Sequence, residues 1–204
     1  MINTIIFDFG DVFVNLEKQK SLDEFKKLGL SGPNDELIAL NDEFERGRIS
    51  ENQFMEGFQK HLPKADMEAI RAAWNAIIGD FPLERLEFLQ LLSHKYRLFL
   101  LTNTDAIHIR QFEELVGESF ASAFYQCFEK VYYSYEMGMR KPDCEIFNYI
   151  IRKHDLSPRR TLFVDDKKEN CDGAAECGLQ VWNLQPGVED VVHLFDKKLL
   201  DKYA

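Results

Sequence analysis

Five short apolar runs recur along the chain, at residues 4–8, 97–102, 130–134, 161–165 and 179–184. Their apolar residues follow one another almost without interruption, whereas a sheet with one wet face would alternate. That pattern belongs to parallel strands covered on both sides. Helical patterns lie between the later runs. One at 83–95 precedes the second run and one at 107–118 follows it, while 142–154 and 170–177 carry the next two crossings. Strand and helix in alternation predict an α/β fold with a doubly wound parallel sheet, whose ligands bind beyond the carboxyl ends of the strands.

The first connection is too long for one crossover helix. Residues 17–79 read as about four helices. Ser50 and Gln53 form a plausible capping box ahead of Phe54, Met55 and Phe58. Met67, Ile70, Trp74 and Ile77 make one apolar stripe. Gly29, Gly32-Pro33, Gly47 and Pro63 supply the breaks. The expected organisation is a core from residues 1–16 and 80–204, with a small helical cap at 17–79 over the strand ends, where it can exclude water and select substrate. Trp74 is expected in the cap's own core rather than as a substrate platform. Residues 189–203 carry a last helical pattern that packs the end of the sheet.

Composition narrows the function. The chain has 204 residues, 45% of them hydrophobic, enough for one good core. A net charge of −10 argues against nucleic acid or anionic membrane as a partner. No apolar stretch approaches the roughly 20 residues of a membrane helix. The start reads as strand rather than signal peptide. Cys127, Cys144, Cys171 and Cys177 lack the spacing of zinc or redox sites, as expected of reduced thiols in a cytoplasmic protein. No feature specifies an oligomeric state.

Polar residues gather where the predicted strands end. Asp8 closes the first run just before Gly10, and a carboxylate at that edge could attack phosphorus, although a turn aspartate is the ordinary alternative. A carboxylate facing a phosphate about 4 Å away meets a repulsion of roughly 4 kcal/mol per pair of unit charges at an effective dielectric near 20, so cations must offset it. Lys141 is one candidate, in a polar loop where Pro142 would suit the first position of the next helix. Arg140 is expected to be solvated. The second cation would be a metal. Asp165-Asp166 ends a buried strand, where two like charges are costly unless neutralised. Hard oxygen ligands beside a phosphate point to Mg²⁺. Neighbours in extended chain face opposite ways, so one of the pair ligates directly, with Asn170 placed to brace the site from behind. Thr102 and Asn103 end the second run, where a hydroxyl and turn N–H groups would grip phosphate oxygens.

Together these residues resemble the haloacid dehalogenase superfamily of aspartate-nucleophile hydrolases over essentially the whole chain. Asp8 matches the nucleophile of the first motif, Thr102 the hydroxyl of the second, Lys141 the lysine of the third and Asp165-Asp166 the acidic fourth motif. The resemblance implies a Rossmann-like core with a type 1 helical cap. It also implies Mg²⁺ held by Asp166, the Asp8 side chain and the Gly10 carbonyl, with Asp165 in support, and a small phosphorylated molecule as substrate.

One position departs from the pattern. Phosphatases of this superfamily usually carry a second aspartate two residues after the nucleophile, to protonate the leaving group and later activate water. Here that residue is Gly10, which offers a carbonyl but cannot move a proton. Asp11 stands one residue further on, where its side chain is expected to point elsewhere. The stretch Asp8-Phe9-Gly10-Asp11-Val12 is similar to the subgroup containing bacterial α-glucose-1-phosphate phosphatases and epoxide-hydrolase amino-terminal domains. Losing the acid matters least when the leaving group departs easily, which favours sugar 1-phosphates. Two alternatives remain: a metal-free 2-haloacid dehalogenase and a catalytically impaired binding protein. His61, His94, His108, His154 and His193 show no metal spacing and are expected to be solvated or helix-terminal.

Overall fold

The computed structural model describes residues 1–32, 34–197 and 200. It opens on β1 (Thr4–Phe7), then α1 (Lys18–Lys27), α2 (Asp35–Glu45), α3 (Glu51–His61) and α4 (Met67–Asn75). The chain continues through α5 (Leu83–Ser93), β2 (Arg97–Thr102), α6 (Ala106–Val116), α7 (Glu118–Tyr125) and β3 (Lys130–Tyr133). It closes with α8 (Ser134–Met137), α9 (Cys144–Lys153), β4 (Thr161–Asp165), α10 (Lys168–Glu176) and β5 (Gln180–Asn183). No helix among the described residues is long and apolar enough to cross a membrane.

The strands form one parallel sheet in the order β3-β2-β1-β4-β5. Successive strand side chains face opposite sides, and this divides the apolar runs between two layers. Ile5, Phe7, Leu98, Leu100, Leu162 and Val164 pack with α5, α6 and α7. Ile6, Phe99, Leu101 and Phe163 pack with α9 and α10 on the reverse face. The unbroken hydrophobicity of the runs follows from this two-sided burial. The chain leaves β1 in one direction for β2 and returns on its other flank as β4, so the order reverses between β1 and β4. That junction is where open parallel sheets bind ligands.

Helices α1 to α4 form a helical module packed around Phe25, Phe44, Phe54, Phe58 and Ile70, a cluster that Ile107 of α6 joins. The capping box at Ser50 and Gln53 is present at the start of α3. Two strands of chain join module to sheet side by side: Glu17 N–H donates to the Ile77 carbonyl, Asn15 N–H to that of Asp80, and Gly79 N–H to that of Asn15.

Three expectations need correction. The helical pattern at 107–118 ends early, because Gly117 takes φ +80° and separates α6 from α7. Pro142 does not open the next helix. Lys141-Pro142 is a cis peptide, and α9 begins at Cys144. The reason lies in Asn103, whose side chain occupies both the N–H and the carbonyl of Lys141 and holds that residue out of helix. In the last pattern, Val191–Lys197 adopts the tighter 3₁₀ form and packs on the α5 side. Residues 198, 199 and 201–204 lie outside the described residues, as does Pro33 of the Gly32-Pro33 break.

Candidate active site

β1 and β4 are neighbours in register, so the residues that follow them emerge side by side at the sheet's carboxyl edge. Asp8 continues β1, its N–H donating to the Val164 carbonyl, and Asp165 ends β4. β2 lies on the other flank of β1 and delivers Thr102 and Asn103. A cavity of about 300 Å³ opens above this edge, with Asp8, Gly10, Thr102, Asn103, Lys141, Asp166 and Asn170 in its lining. Residues separated by more than 150 positions in sequence (Asp8 and Asp166) thus share one wall.

Lys141 is the electrostatic centre. Its side chain is 1% exposed, and its Nζ donates to Asp8 Oδ1 at 2.6 Å, to Asp165 Oδ2 at 2.7 Å and to the Leu101 carbonyl at 2.9 Å. Burial alone would lower its pKa, but the Asp165 and Asp8 carboxylates outweigh that and raise it. An ammonium with three acceptors is fully satisfied. The Asp8 carboxyl is pushed up to about 7, chiefly by burial and further by the Asp165 and Asp166 charges, while Lys141 pulls it down. Removing these acids from water thus exceeds what one lysine offsets, and more positive charge would be needed to keep Asp8 ionised.

Asp8, Asp165 and Asp166 can each place a carboxylate oxygen within 4.8 Å of the others. Asp165 is committed already. It accepts from Lys141, from the Lys167 N–H at 2.8 Å and from Asn170 Nδ2 at 3.0 Å. Asp166 is raised by burial and by Asp165, and its nearest cation, Lys18 Nζ, stands 3.7 Å away. Asn183 fixes the backbone here, donating to the carbonyls of Asp165 and Asp166. A pair of under-compensated carboxylates with only oxygen donors fits a hard divalent cation such as Mg²⁺.

Among the polar groups, Asn103 and Asp11 follow their expectations, whereas Arg140 and His108 do not. Asn103 spends its side-chain amide on the Lys141 backbone, so only its main chain is left for a phosphate. Asp11, at φ +55°, turns to Lys18 at 2.5 Å and to the Leu16 N–H. Arg140 is not solvated: it pairs with Asp42 and Glu45 of α2. His108 is not solvated either: its side chain is 14% exposed, with Nδ1 2.9 Å from Asp105 Oδ2 and Nε2 3.1 Å from the Trp74 carbonyl. Trp74 does contact Phe54 and Phe58 in the module's core. It also stacks on His108 at 4.8 Å and lines the cavity, so it serves both places. Lys18, Asn41 and Glu45 enter the lining from the helical module and were not visible as site residues in the sequence. The one available signal was Asp105 three residues before His108, a spacing that pairs side chains on a helix.

A model of haloacid dehalogenase-like hydrolases matches residues 2–178. The chain belongs to that family. Within the haloacid dehalogenase-like hydrolases it is 29% identical over 195 residues to the D-ribitol-5-phosphate phosphatase of Bacteroides thetaiotaomicron, covering 93% of this chain and 95% of the relative. It is 27% identical to the glyceraldehyde 3-phosphate phosphatase of Methanothermobacter thermautotrophicus, over 88% of this chain and 84% of that protein. A crystal structure of a family enzyme from Bacteroides thetaiotaomicron, in complex with magnesium and inorganic phosphate, superposes with a TM-score of 0.85. It is 33% identical, covering 96% of this chain and 100% of that one.

Proposed function

We propose that this hydrolase is a Mg²⁺-dependent phosphatase that releases phosphate from a small phosphorylated metabolite through an aspartyl-phosphate on Asp8. The observation that carries this reading is the bridge Asp8–Lys141–Asp165, of which Asp8 and Lys141 line one cavity with Asp166 at the β1/β4 switch point while Asp165 lies buried behind them. The names of the relatives, both phosphatases of small phosphorylated compounds, support it.

In this mechanism an Asp8 oxygen attacks phosphorus, the bond from phosphorus to the substrate oxygen breaks, and the alcohol departs with a proton from solvent. Lys141 favours the ionised form of Asp8, which further positive charge completes, and holds it close to the phosphoryl group. The Thr102 hydroxyl and the main chain at Asn103 orient phosphate oxygens. Asp8, Asp166 and the Gly10 carbonyl would hold Mg²⁺, which neutralises phosphate charge when bound. Asp165, fixed by Asn170, holds Lys141. The module at 17–79 acts as a cap that screens the site from water. Because Gly10 cannot protonate the leaving group, substrates whose alcohol departs readily, such as sugar 1-phosphates, are favoured.

A panel of sugar phosphates and acyl phosphates with and without Mg²⁺ tests this reading. Turnover should require the metal and fall at least 10³-fold in Asp8→Asn. Full turnover in that variant, or halide release in chelator without phosphatase activity, would replace the reading with another.

A further inference from the structure

The cavity that contains Asp8 adjoins a second one of about 540 Å³, and the two share Lys18, Asn41, Trp74 and Ile77 in their linings. Lys18 marks the near end, its Nζ standing 3.7 Å from Asp166 Oδ2. Trp74 marks it too, stacked at 4.8 Å on His108, which also lines the cavity of Asp8. The second cavity therefore begins at the wall of the first.

Two helices set its course. From α1 it takes Lys18, Ser21, Leu22 and Phe25, whose spacings of three and four make one helix face. From α2 it takes Leu37, Ile38 and Asn41, again one face, behind the capping residue Asn34. α1 starts at the site with Lys18 and leads away from it, whereas α2 leads toward the site and delivers Asn41. At 1.5 Å per residue, the α1 face from Lys18 to Phe25 covers about 10 Å.

The chemistry changes along that length. Beyond Lys18 and Asn41 the walls are mainly Leu22, Phe25, Leu37, Ile38 and Phe58, and the few polar groups among them have partners. Ser21 Oγ donates to the Ala73 carbonyl at 2.8 Å, and Lys26 pairs with Asp23. Asn34 accepts from the Glu36 and Leu37 N–H groups, and its amide meets His61 Nδ1 at 3.0 Å. Sugar hydroxyls would lose water here without regaining hydrogen bonds. Leu22 and Ile38 line the cavity yet are 54% and 62% exposed, so an apolar group seated between α1 and α2 would cover surface that the fold leaves wet. A hollow of this size, apolar with polar groups gathered at one end, fits a small ligand with one charged end.

We infer that the substrate is a phosphate monoester of an apolar alcohol or phenol, its body lying between α1 and α2 and its phosphate at Asp8. This rests on the phosphatase reading and narrows the leaving group. Gly10 calls for a group that departs readily, and the second cavity calls for an apolar one. A phenol meets both demands; a sugar 1-phosphate meets only the first.

A series of 4-alkylphenyl phosphates tests the inference, because the phenol departs with nearly equal ease at every chain length. With Mg²⁺ present, kcat/KM should rise about two- to fourfold per methylene, chiefly through KM, and level off once the cavity is filled. In Leu22→Gln combined with Ile38→Gln, the preference for the hexyl over the unsubstituted ester should drop about tenfold or more. The melting temperature should stay near wild type, since both side chains are exposed. A flat series in wild type, a rise that survives in the double variant, or a sugar 1-phosphate with a higher kcat/KM than the hexyl ester would each overturn the inference. Calorimetric titration with n-alkyl phosphonates and Mg²⁺ needs no turnover and so separates the cavity from the chemistry. Affinity should climb with chain length, with an increasingly negative heat-capacity change. Absence of turnover on every ester, with this binding intact, would remove the phosphatase reading and leave the ligand class standing. Mg²⁺-dependent turnover of phenyl phosphate, with binding indifferent to chain length, would remove the ligand class alone.

Discussion

The Asn103 carboxamide and the Lys141 backbone close a two-bond ring: Nδ2 donates to the Lys141 carbonyl and Oδ1 accepts its N–H, each at 2.9 Å. The end of β2 thereby sets the position of a lysine that belongs to another loop. Asn103→Asp keeps the acceptor but puts a carboxylate against the Lys141 carbonyl. A buried acceptor left unpaired costs about 1–3 kcal/mol, or roughly 2–4 °C of melting temperature per kcal/mol in a chain of this size. An error of about 1 Å in a reacting group can cost about 10²-fold in rate. Asn103→Asp should therefore melt several degrees lower and lose at least about tenfold in kcat. Thermal denaturation and steady-state kinetics check it, and wild-type kcat would show that Lys141 is positioned by other means.

Lys141 is a stability element as well as a reactive one. With its ammonium gone, Asp8 and Asp165 face each other in a buried site without the charge that joins them. Breaking a buried ion pair by deleting one partner costs about 3–5 kcal/mol. Lys141→Met should lose activity and unfold at markedly lower denaturant. Adding Asp8→Asn, which removes one stranded charge, should return part of the stability and none of the activity. Additive losses in the double variant would contradict the coupling.

His108 gives the fold a pH dependence whose sign can be worked out. Burial lowers its pKa, but Asp105 overrides that with help from Glu45, and the folded value lies above the ordinary 6.5. Its contribution to stability is complete below 6.5 and is lost as pH rises through the folded value. Asp105 works at the other end. Its pKa, raised by burial but lowered further by His108, falls below the ordinary 3.8, so its contribution is present above 3.8 and is lost as acid takes the pH through the folded value. His108→Gln should thus be most destabilising between these limits and approach wild type in alkali. Melting curves of both proteins across pH would reveal it, and a gap that widens with alkalinity would contradict the assignment.

The sheet was legible because it is buried on both faces, which writes nearly continuous apolar runs at 97–102 and 161–165. Asp8, Thr102, Lys141 and Asp165 were legible because each stands where a run ends or a loop turns polar. Glu45, Asn41 and Lys18 were not, since a charged residue on a helix looks solvated until a second element covers it. Arg140 shows the same blindness: its partners Asp42 and Glu45 lie almost a hundred residues earlier and meet it only when the module closes on the sheet. His108 was misjudged because its polar neighbours in sequence say nothing of the Trp74 face stacked on it. Local pattern reports whether a residue can be buried; which long-range partner satisfies it is a property of the assembled fold.

Gly10 offers a direct way to ask why the second aspartate is missing. A Cβ at this position would meet Leu16 Cδ1 at 2.8 Å and Cγ at 3.4 Å. Gly10→Asp alone therefore makes the end of the half-buried Leu16 side chain swing aside, a small cost for a flexible group, and should melt slightly lower with less gain in activity than when Leu16 is also shortened. In Gly10→Asp with Leu16→Ala the contact is gone, and a carboxyl group stands where the superfamily's phosphatases place their proton donor. General acid catalysis contributes about 10²–10⁴-fold when the leaving group is poor. The double variant should gain at least about tenfold in kcat/KM on simple alkyl phosphates, relative to Leu16→Ala, while anomeric and acyl phosphates change little. A uniform effect on both substrate classes would show that the glycine is retained for space around Leu16 and not because the substrate's own leaving group makes an acid dispensable.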